Sequence, residues 1–466
     1  MMKRKNLVVF HLESIAWQTL NAFPEAFPNL NRVMPTARVF RSYFSSATST
    51  QMVIAYLLHG NDFEFDAANR LSKPAENNPS LFSILRAAGY RTEFLCVTAL
   101  QAKRMLPLLA DSLPPVWSTN DFGKLLDKFE KLTAAQPFAI YAWNLVTHIE
   151  HSLALAPHAG RIDELVGGAC AVADHALGLL MGILERRKLL DDSTIVIFGD
   201  HGDAYWTHGF KAGQLHGIEP YSHLVHAPLL IRDASLQAGN DNRLASTIDL
   251  APTCLELLNI SSELPFADSG QSLLGEGERI CVFSQNFTGN QADHSDCDVR
   301  KSFAASDHSH TLLVSSRGLE LFNHKLDSTN HCNLLHFFDM DREGDLVPQI
   351  PAGISHPHFA TAMRYMLGSE RTINQDFRKL RTALKEQIGK KHAYIAARAP
   401  AQIHTLDLSC LETISTHDRD RFFGKVEDTV ALVAETLVVP AKHPPARSLL
   451  GGIMNAVFRA GGNARH

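Results

Sequence analysis

The 466-residue chain is short of several things. No apolar run approaches the roughly 18 residues that a membrane-spanning helix needs, so no transmembrane segment is expected. Cysteine is sparse: Cys96, Cys170, Cys254, Cys281, Cys297, Cys332 and Cys410 are odd in number, scattered and without CxxC spacing. That pattern excludes a disulfide-stapled miniprotein and a cysteine-rich zinc module, and fits a reducing compartment. Charge of neither sign dominates, with 44 Lys and Arg against 49 Asp and Glu and a formal net charge of −5. A nucleic-acid binder would usually show a basic domain, so no nucleic-acid partner is expected. Leu7-Val8-Val9-Phe10, after Met1-Met2-Lys3-Arg4-Lys5, is broken at once by His11 and Glu13. It is too short for a signal-peptide core and reads as a buried first strand. A cytoplasmic location is expected.

What is present is ordinary globular composition, 45% hydrophobic and 20% charged, in a length that suits two to three domains. Apolar strand-like runs at 6–12, 91–96, 137–146, 193–198 and 228–231 alternate with helical stretches at 80–89, 122–134 and 161–188. That alternation predicts an α/β fold, a mostly parallel sheet between helices, with ligands at the carboxyl ends of strands. Near residue 275 the pattern changes to short runs at 279–284, 302–306, 310–315 and 318–323, which predict a small antiparallel sheet. From about 358 the chain reads as helical, most clearly over 378–388. The expected division is a catalytic α/β domain at 1–275, a small antiparallel β subdomain at 276–350 and a helical extension at 351–466.

Four places set polar, metal-competent residues just after apolar runs: His11-Leu12-Glu13-Ser14, Thr48-Ser49-Thr50, Asn144 to His148, and Asp200-His201-Gly202-Asp203. His208 and His216 follow the last of them. Each alone is weak, since a loop carboxylate is usually solvated, a threonine before a helix is usually a cap and most of the 24 histidines must be structural. Together they supply two carboxylates, an imidazole and a hydroxyl, a set that suits one divalent cation such as Zn²⁺ or Mn²⁺. Coordination would lower the pKa of a threonine hydroxyl and make it a nucleophile. The start of the next helix would favour an anion beside it. Attack on a phosphate or sulfate ester is the chemistry these parts suit. A two-metal site would need further ligands; Asp174, in a helical stretch, is a candidate that reads equally well as a solvated carboxylate.

In order along residues 6–340 the sequence resembles the sulfatase-like branch of the alkaline phosphatase superfamily. Phe27-Pro28-Asn29-Leu30-Asn31-Arg32 is similar to that family's TPNLDRL, Ala87 to Thr92 to AGYRT, Asp192 to Gly202 to DNTLVVFTSDHG, and Asp249-Leu250-Ala251-Pro252-Thr253 to DLAPT. Leu319 to Phe322, with Asn333-Leu334, resembles its ELYDL…NL tail. The resemblance implies an alkaline-phosphatase/sulfatase-like sandwich with a small C-terminal antiparallel sheet. True sulfatases carry a C-x-P-x-R motif whose Cys or Ser becomes formylglycine; the matching positions here are Thr50, Met52 and Ile54. Glu13-Ser14 replaces the sulfatases' paired Asp. Both departures resemble phosphoethanolamine transferases and lipoteichoic acid synthases, in which a Glu follows the first strand and a Thr is the nucleophile.

Carried over position by position, Glu13, Thr50, Asp200 and His201 would ligate one metal, zinc ahead of manganese. Thr50 would attack and form a covalent phospho-enzyme, with Thr48 or Ser49 as substitutes. His148 and His216 would contact the transferring phosphate, and His208 matches a sulfatase histidine ranked below His216. The expected function is a metal-dependent phosphoester hydrolase or phosphotransferase acting on a small-molecule, lipid or glycan phosphoester. The alternatives are a sulfatase, or an inactive family member acting as a binding module. Those transferases are anchored by N-terminal membrane helices, whereas this sequence starts at the catalytic strand. Residues 447–459, apolar between Arg447 and Arg459, read either as a peripheral contact with the inner membrane surface or as a docked helix or frayed tail. Gly451 and Gly452 weaken any helix there.

Overall fold

The computed structural model describes residues 4–62, 79–97, 113–119, 121–148, 162–204, 216–261, 270–286, 301–348, 370–398, 405–417 and 419. At its centre are strands buried on both faces, as continuous apolar runs require. β1 (Asn6–Leu12) and β6 (Ser193–Gly199) are buried at every position. They pair in parallel with each other, and β1 pairs in parallel with β5 (Phe138–Asn144). β2 (Arg38–Phe44), β3 (Arg91–Val97), β4 (Val116–Thr119), β7 (Leu229–Arg232) and β8 (Gly239–Ser246) complete an eight-stranded sheet of order β4-β3-β5-β1-β6-β7-β2-β8. β7 runs antiparallel to both neighbours, while β2 and β8 pair in parallel.

Alternation along β1 divides the core. Leu7 and Val9 join the helices Thr50–His59, Leu81–Ala87 and Leu250–Leu257 on one face. Val8, Phe10 and Leu12 join the helices Pro28–Val33, Phe122–Leu132 and Ile162–Arg186 on the other. β2, β4 and β8 were not read from sequence. β8, GNDNRLAS, is rich in residues that disfavour strands, and its extended form rests on pairing with β2.

Helix Ile162–Arg186 qualifies the expected absence of a membrane-length segment. Over Leu165–Arg186 its best 18-residue window has a mean hydropathy of 1.5, enough by length and composition to cross a bilayer, yet half of that window is buried inside the protein. Leu177, Leu180, Ile183 and Leu184 pack on the sheet. Asp174 breaks the apolar run and is not solvated. It is 2% exposed and accepts hydrogen bonds from the Asn29 and Leu30 amides, each at 2.8 Å, which caps helix Pro28–Val33.

The second sheet is antiparallel, of order β12-β11-β10-β9, from β9 (Val282–Gln285), β10 (Phe303–Ser306), β11 (His310–Ser315) and β12 (Gly318–Asn323). A short pair, β13 (Phe338–Met340) with β14 (Leu346–Pro348), follows. Helix Glu370–Arg398 lays Ile373, Phe377, Leu380, Leu384 and Ile388 on one face, at helical spacing, against Phe303, Leu312, Val314 and Leu321. An Ala47–Gln285 bridge joins β9 to the loop before Thr50. The six described cysteines are free.

Candidate active site

The site forms where β1, β5 and β6 end. Glu13 follows β1, Asp200 and His201 follow β6, and Thr50 is the first residue of helix Thr50–His59, after Ser49 in an extended conformation. Thr50 Oγ1 donates to Glu13 Oε1 at 3.1 Å and lies 3.0 Å from His201 Nε2. His201 Nε2 lies 3.3 Å from Asp200 Oδ2. The His201 Nδ1 faces the Gly202 carbonyl oxygen at 2.9 Å, which orients the ring with Nε2 toward Thr50. Glycine at 202 is required by close approach: a Cβ there would meet the His223 carbonyl oxygen at 2.3 Å. Thr48 and Ser49 are turned to other partners. The Thr48 hydroxyl donates to the Ile218 carbonyl at 3.0 Å and the Ser49 hydroxyl to Gln51 Oε1 at 2.9 Å.

Both carboxylates are fully buried. Burial, then the charge of Asp200, pushes the Glu13 carboxyl well above its usual range, against the hydrogen bond from Trp143 Nε1 at 2.7 Å. Burial works to raise Asp200 too, but the neighbouring His201 and His11, with the Ser14 amide, take it far below. Ser14 sits at φ 53, a left-handed conformation uncommon for serine, and its amide donates to Asp200 Oδ1 at 2.8 Å. The His201 amide donates to the same oxygen at 2.9 Å.

His148 and His216 border this set, with ring centroids 5.4 Å apart and His216 4.5 Å from His201. His216 Nδ1 is held by Asp203 Oδ1 at 3.0 Å. Burial opposes a charge on His216, but the hydrogen bond and charge of Asp203 win and raise its pKa. Glu13, Thr50, Asp200, His201, His148 and His216 are therefore one constellation, and His208 lies outside the described residues.

Sequence reading gave no role to His11, Trp143 or Asp203. His11 lies between Trp143, its partner on β5, and Phe198, its partner on β6, with ring centroids at 5.5 and 5.0 Å. Tyr141 OH is 2.9 Å from its Nδ1. Spacing was the available signal, since His11 shares a strand face with Val9 and Glu13 follows two residues later, just past the strand end.

The residues fit a cation. His11 Nε2 and Asp200 Oδ2 are buried without a hydrogen bond although 3.2 Å apart, and an oxygen or nitrogen of His11, Glu13 and Asp200 can all meet within 4.8 Å. Two carboxylates at zero exposure are costly unless a positive charge joins them. If His11 Nδ1 donates to Tyr141, its Nε2 lone pair would be free to hold a cation; if Tyr141 donates, the Nε2–H turns to Asp200.

The sulfatase family model matches residues 5–260, more than half of the chain. The chain belongs to the sulfatase family. Within it, arylsulfatase K of Xenopus laevis is 32% identical over 106 residues, 22% of this chain and 19% of that protein. The match thus spans about a fifth of the curated relative's length. The phosphonate monoester hydrolase of Agrobacterium radiobacter superposes with a TM-score of 0.53 at 14% identity, over 75% of this chain and 100% of that one. The lipoteichoic acid synthase LtaP from Listeria monocytogenes superposes with a TM-score of 0.52 at 15% identity, over 69% and 86%. At such identities the likeness shows the shared alkaline-phosphatase-superfamily fold. Two motifs of this sulfatase-family chain have structural roles: Asp174 caps the helix of the Pro28-Asn29-Leu30 segment, and buried Asp249 accepts from Ser246 and Gln271 amides and pairs with Arg279.

Proposed function

We propose that the protein is an esterase of the sulfatase family that acts on phosphorus esters through Thr50. The observation that carries this is the Thr50 hydroxyl, at a helix N-terminus and within 3.1 Å of both Glu13 Oε1 and His201 Nε2. Glu13, Thr50, Asp200 and His201 would hold one divalent cation, zinc ahead of manganese by the Irving–Williams order, which would supply Lewis acidity at that hydroxyl. Thr50 Oγ1 attacks phosphorus as its proton passes to Glu13 Oε1, to which it already donates, and the ester oxygen leaves. The helix N-terminus favours the transferring anion beside it. His216, held by Asp203, keeps a proton for the leaving oxygen, and His148 contacts the same group. The covalent threonine phosphoester is then released to water or to an acceptor alcohol.

Small-molecule, lipid and glycan phosphoesters all fit this reading, and the names of the phosphonate hydrolase and lipoteichoic acid synthase agree with it. Residues 447–459, outside the described part, are proposed to touch a membrane surface if the substrate is a lipid. A sulfate ester is the second reading, supported by the match to arylsulfatase K. A panel of p-nitrophenyl phosphate, phosphodiester, phosphonate and sulfate separates the two. Turnover of phosphorus esters that disappears in Thr50→Ala, with a phosphate-sized mass increase on the Thr50 peptide of trapped enzyme, is expected. Sulfate turnover alone, or full activity in Thr50→Ala, would refute the proposal.

A further inference from the structure

A second group of metal-competent side chains lies away from this site, where the small sheet meets helix Glu370–Arg398. Asp307 and His310 flank the β10–β11 turn, and Asp376 faces them from the helix. Donor atoms from all three can meet within 4.8 Å.

The turn fixes the geometry. Asp307 Oδ1 accepts from the Ser309 and His310 amides, both at 2.8 Å, and the Asp307 amide donates to the His310 carbonyl at 2.9 Å. Oδ1 is thereby committed to the turn, and Oδ2 is turned to the helix, 3.0 Å from Lys379 Nζ.

His310 points to a ligand. It is 6% exposed, yet neither ring nitrogen has a hydrogen-bond partner. An imidazole buried in that way costs free energy. Its Nδ1 lies 3.4 Å from Asp376 Oδ2, long for a hydrogen bond. It is, however, the separation of two ligands at roughly 2.0–2.1 Å on a tetrahedral zinc, about 3.4 Å. The opposing charge is Lys379, whose side chain is 38% exposed and can move into water on its flexible stem.

We propose that Asp307, His310 and Asp376 form a second divalent-cation site, of the borderline class that zinc typifies, which clips the small antiparallel sheet to the C-terminal helix. Two carboxylates and an imidazole are the donors, and water completes the coordination. No hydroxyl nucleophile is assigned to it, so its effect is on stability. A zinc ion bound only by the folded chain stabilises by mass action.

The test counts metal in the full chain, freed of metal by chelation and then dialysed against zinc. Wild-type protein is expected to hold two equivalents, and Asp376→Asn, His310→Ala and Asp200→Asn one each. The Asp200→Asn/Asp376→Asn double variant is expected to hold none. Zinc should raise the melting temperature of Asp200→Asn but not of the double variant, while ester turnover of Asp376→Asn stays at the wild-type level. Zinc-free Asp200→Asn, or two equivalents retained in Asp376→Asn, would overturn the proposal. Should His310→Ala fail to fold, Asp376→Asn gives the same count, because that side chain is a quarter exposed and the substitution keeps its size. Counting in Asp200→Asn also keeps this result independent of the assignment made to Thr50.

Discussion

The His11–Glu13–Asp200 and Asp307–His310–Asp376 groups use the same residue types, one imidazole and two carboxylates, in different surroundings. The first is fully buried at the ends of parallel strands, beside the Thr50 hydroxyl and three further imidazoles. The second sits at a hairpin turn, is open on the Asp376 side and has a lysine ammonium 3.0 Å from one carboxylate. Donor type alone therefore does not define chemistry. A nucleophile, a proton donor and an uncompensated charge must be brought to the same point, and parallel strands ending together do this.

The comparison can be broken most sharply by removing the hydroxyl. Thr50→Ala should cut ester turnover by roughly 10³-fold or more while leaving the melting temperature close to wild type. Asp376→Asn should leave turnover alone, so loss of activity in both would erase the distinction. Next in size, Asp203→Asn should lower kcat by ~10–100-fold, because His216 loses the negative charge that favours its protonated form. An unchanged kcat would remove His216 from proton donation.

A structural carboxylate should behave otherwise. Asp174→Ala leaves the Asn29 and Leu30 amides without their acceptor and should cost about 2 kcal/mol in a urea titration, with intrinsic turnover per folded molecule unchanged. Acid should also destabilise. Burial holds the His324 imidazole down at about 3, against about 6.5 for the unfolded chain. The unfolded state thus takes up a proton that the folded state refuses, so stability falls as pH drops from 6.5 toward 3. A melting temperature that stays flat between pH 7 and 4.5 would contradict this. The smallest effect is expected at the exposed cap Asp121, whose carboxylate accepts from the Lys124 amide at 3.2 Å; Asp121→Ala should cost about 1 kcal/mol.

Much of the fold was legible because strands buried on both faces must be continuously apolar. That identified the runs that became β1, β3, β5, β6 and β7 and, from the ends of β1 and β6, the positions of Glu13, Asp200 and His201, while Thr50 was read from the start of the apolar helix it opens. β8 was illegible because its Gly, Asn and Asp residues are extended only through pairing with β2. His11 was hidden by context. Within a strand it reads as an interruption, and only the rings of Trp143 and Phe198 from neighbouring strands show it clamped and turned toward Asp200.

The order of residues along the chain determined local preferences: apolar periodicity and a hydroxyl at the start of a helix. Those depend on neighbours in sequence, so they can be read there. Tertiary structure decided which polar groups share a point in space. Asp203 reaches His216 across 13 positions, Glu13 reaches Thr50 across 37, and Asp307 faces a helix residue whose neighbour Lys379 lies 72 positions away. Charge, burial and hydrogen bonding act through distance in space, and only the packed chain sets that distance.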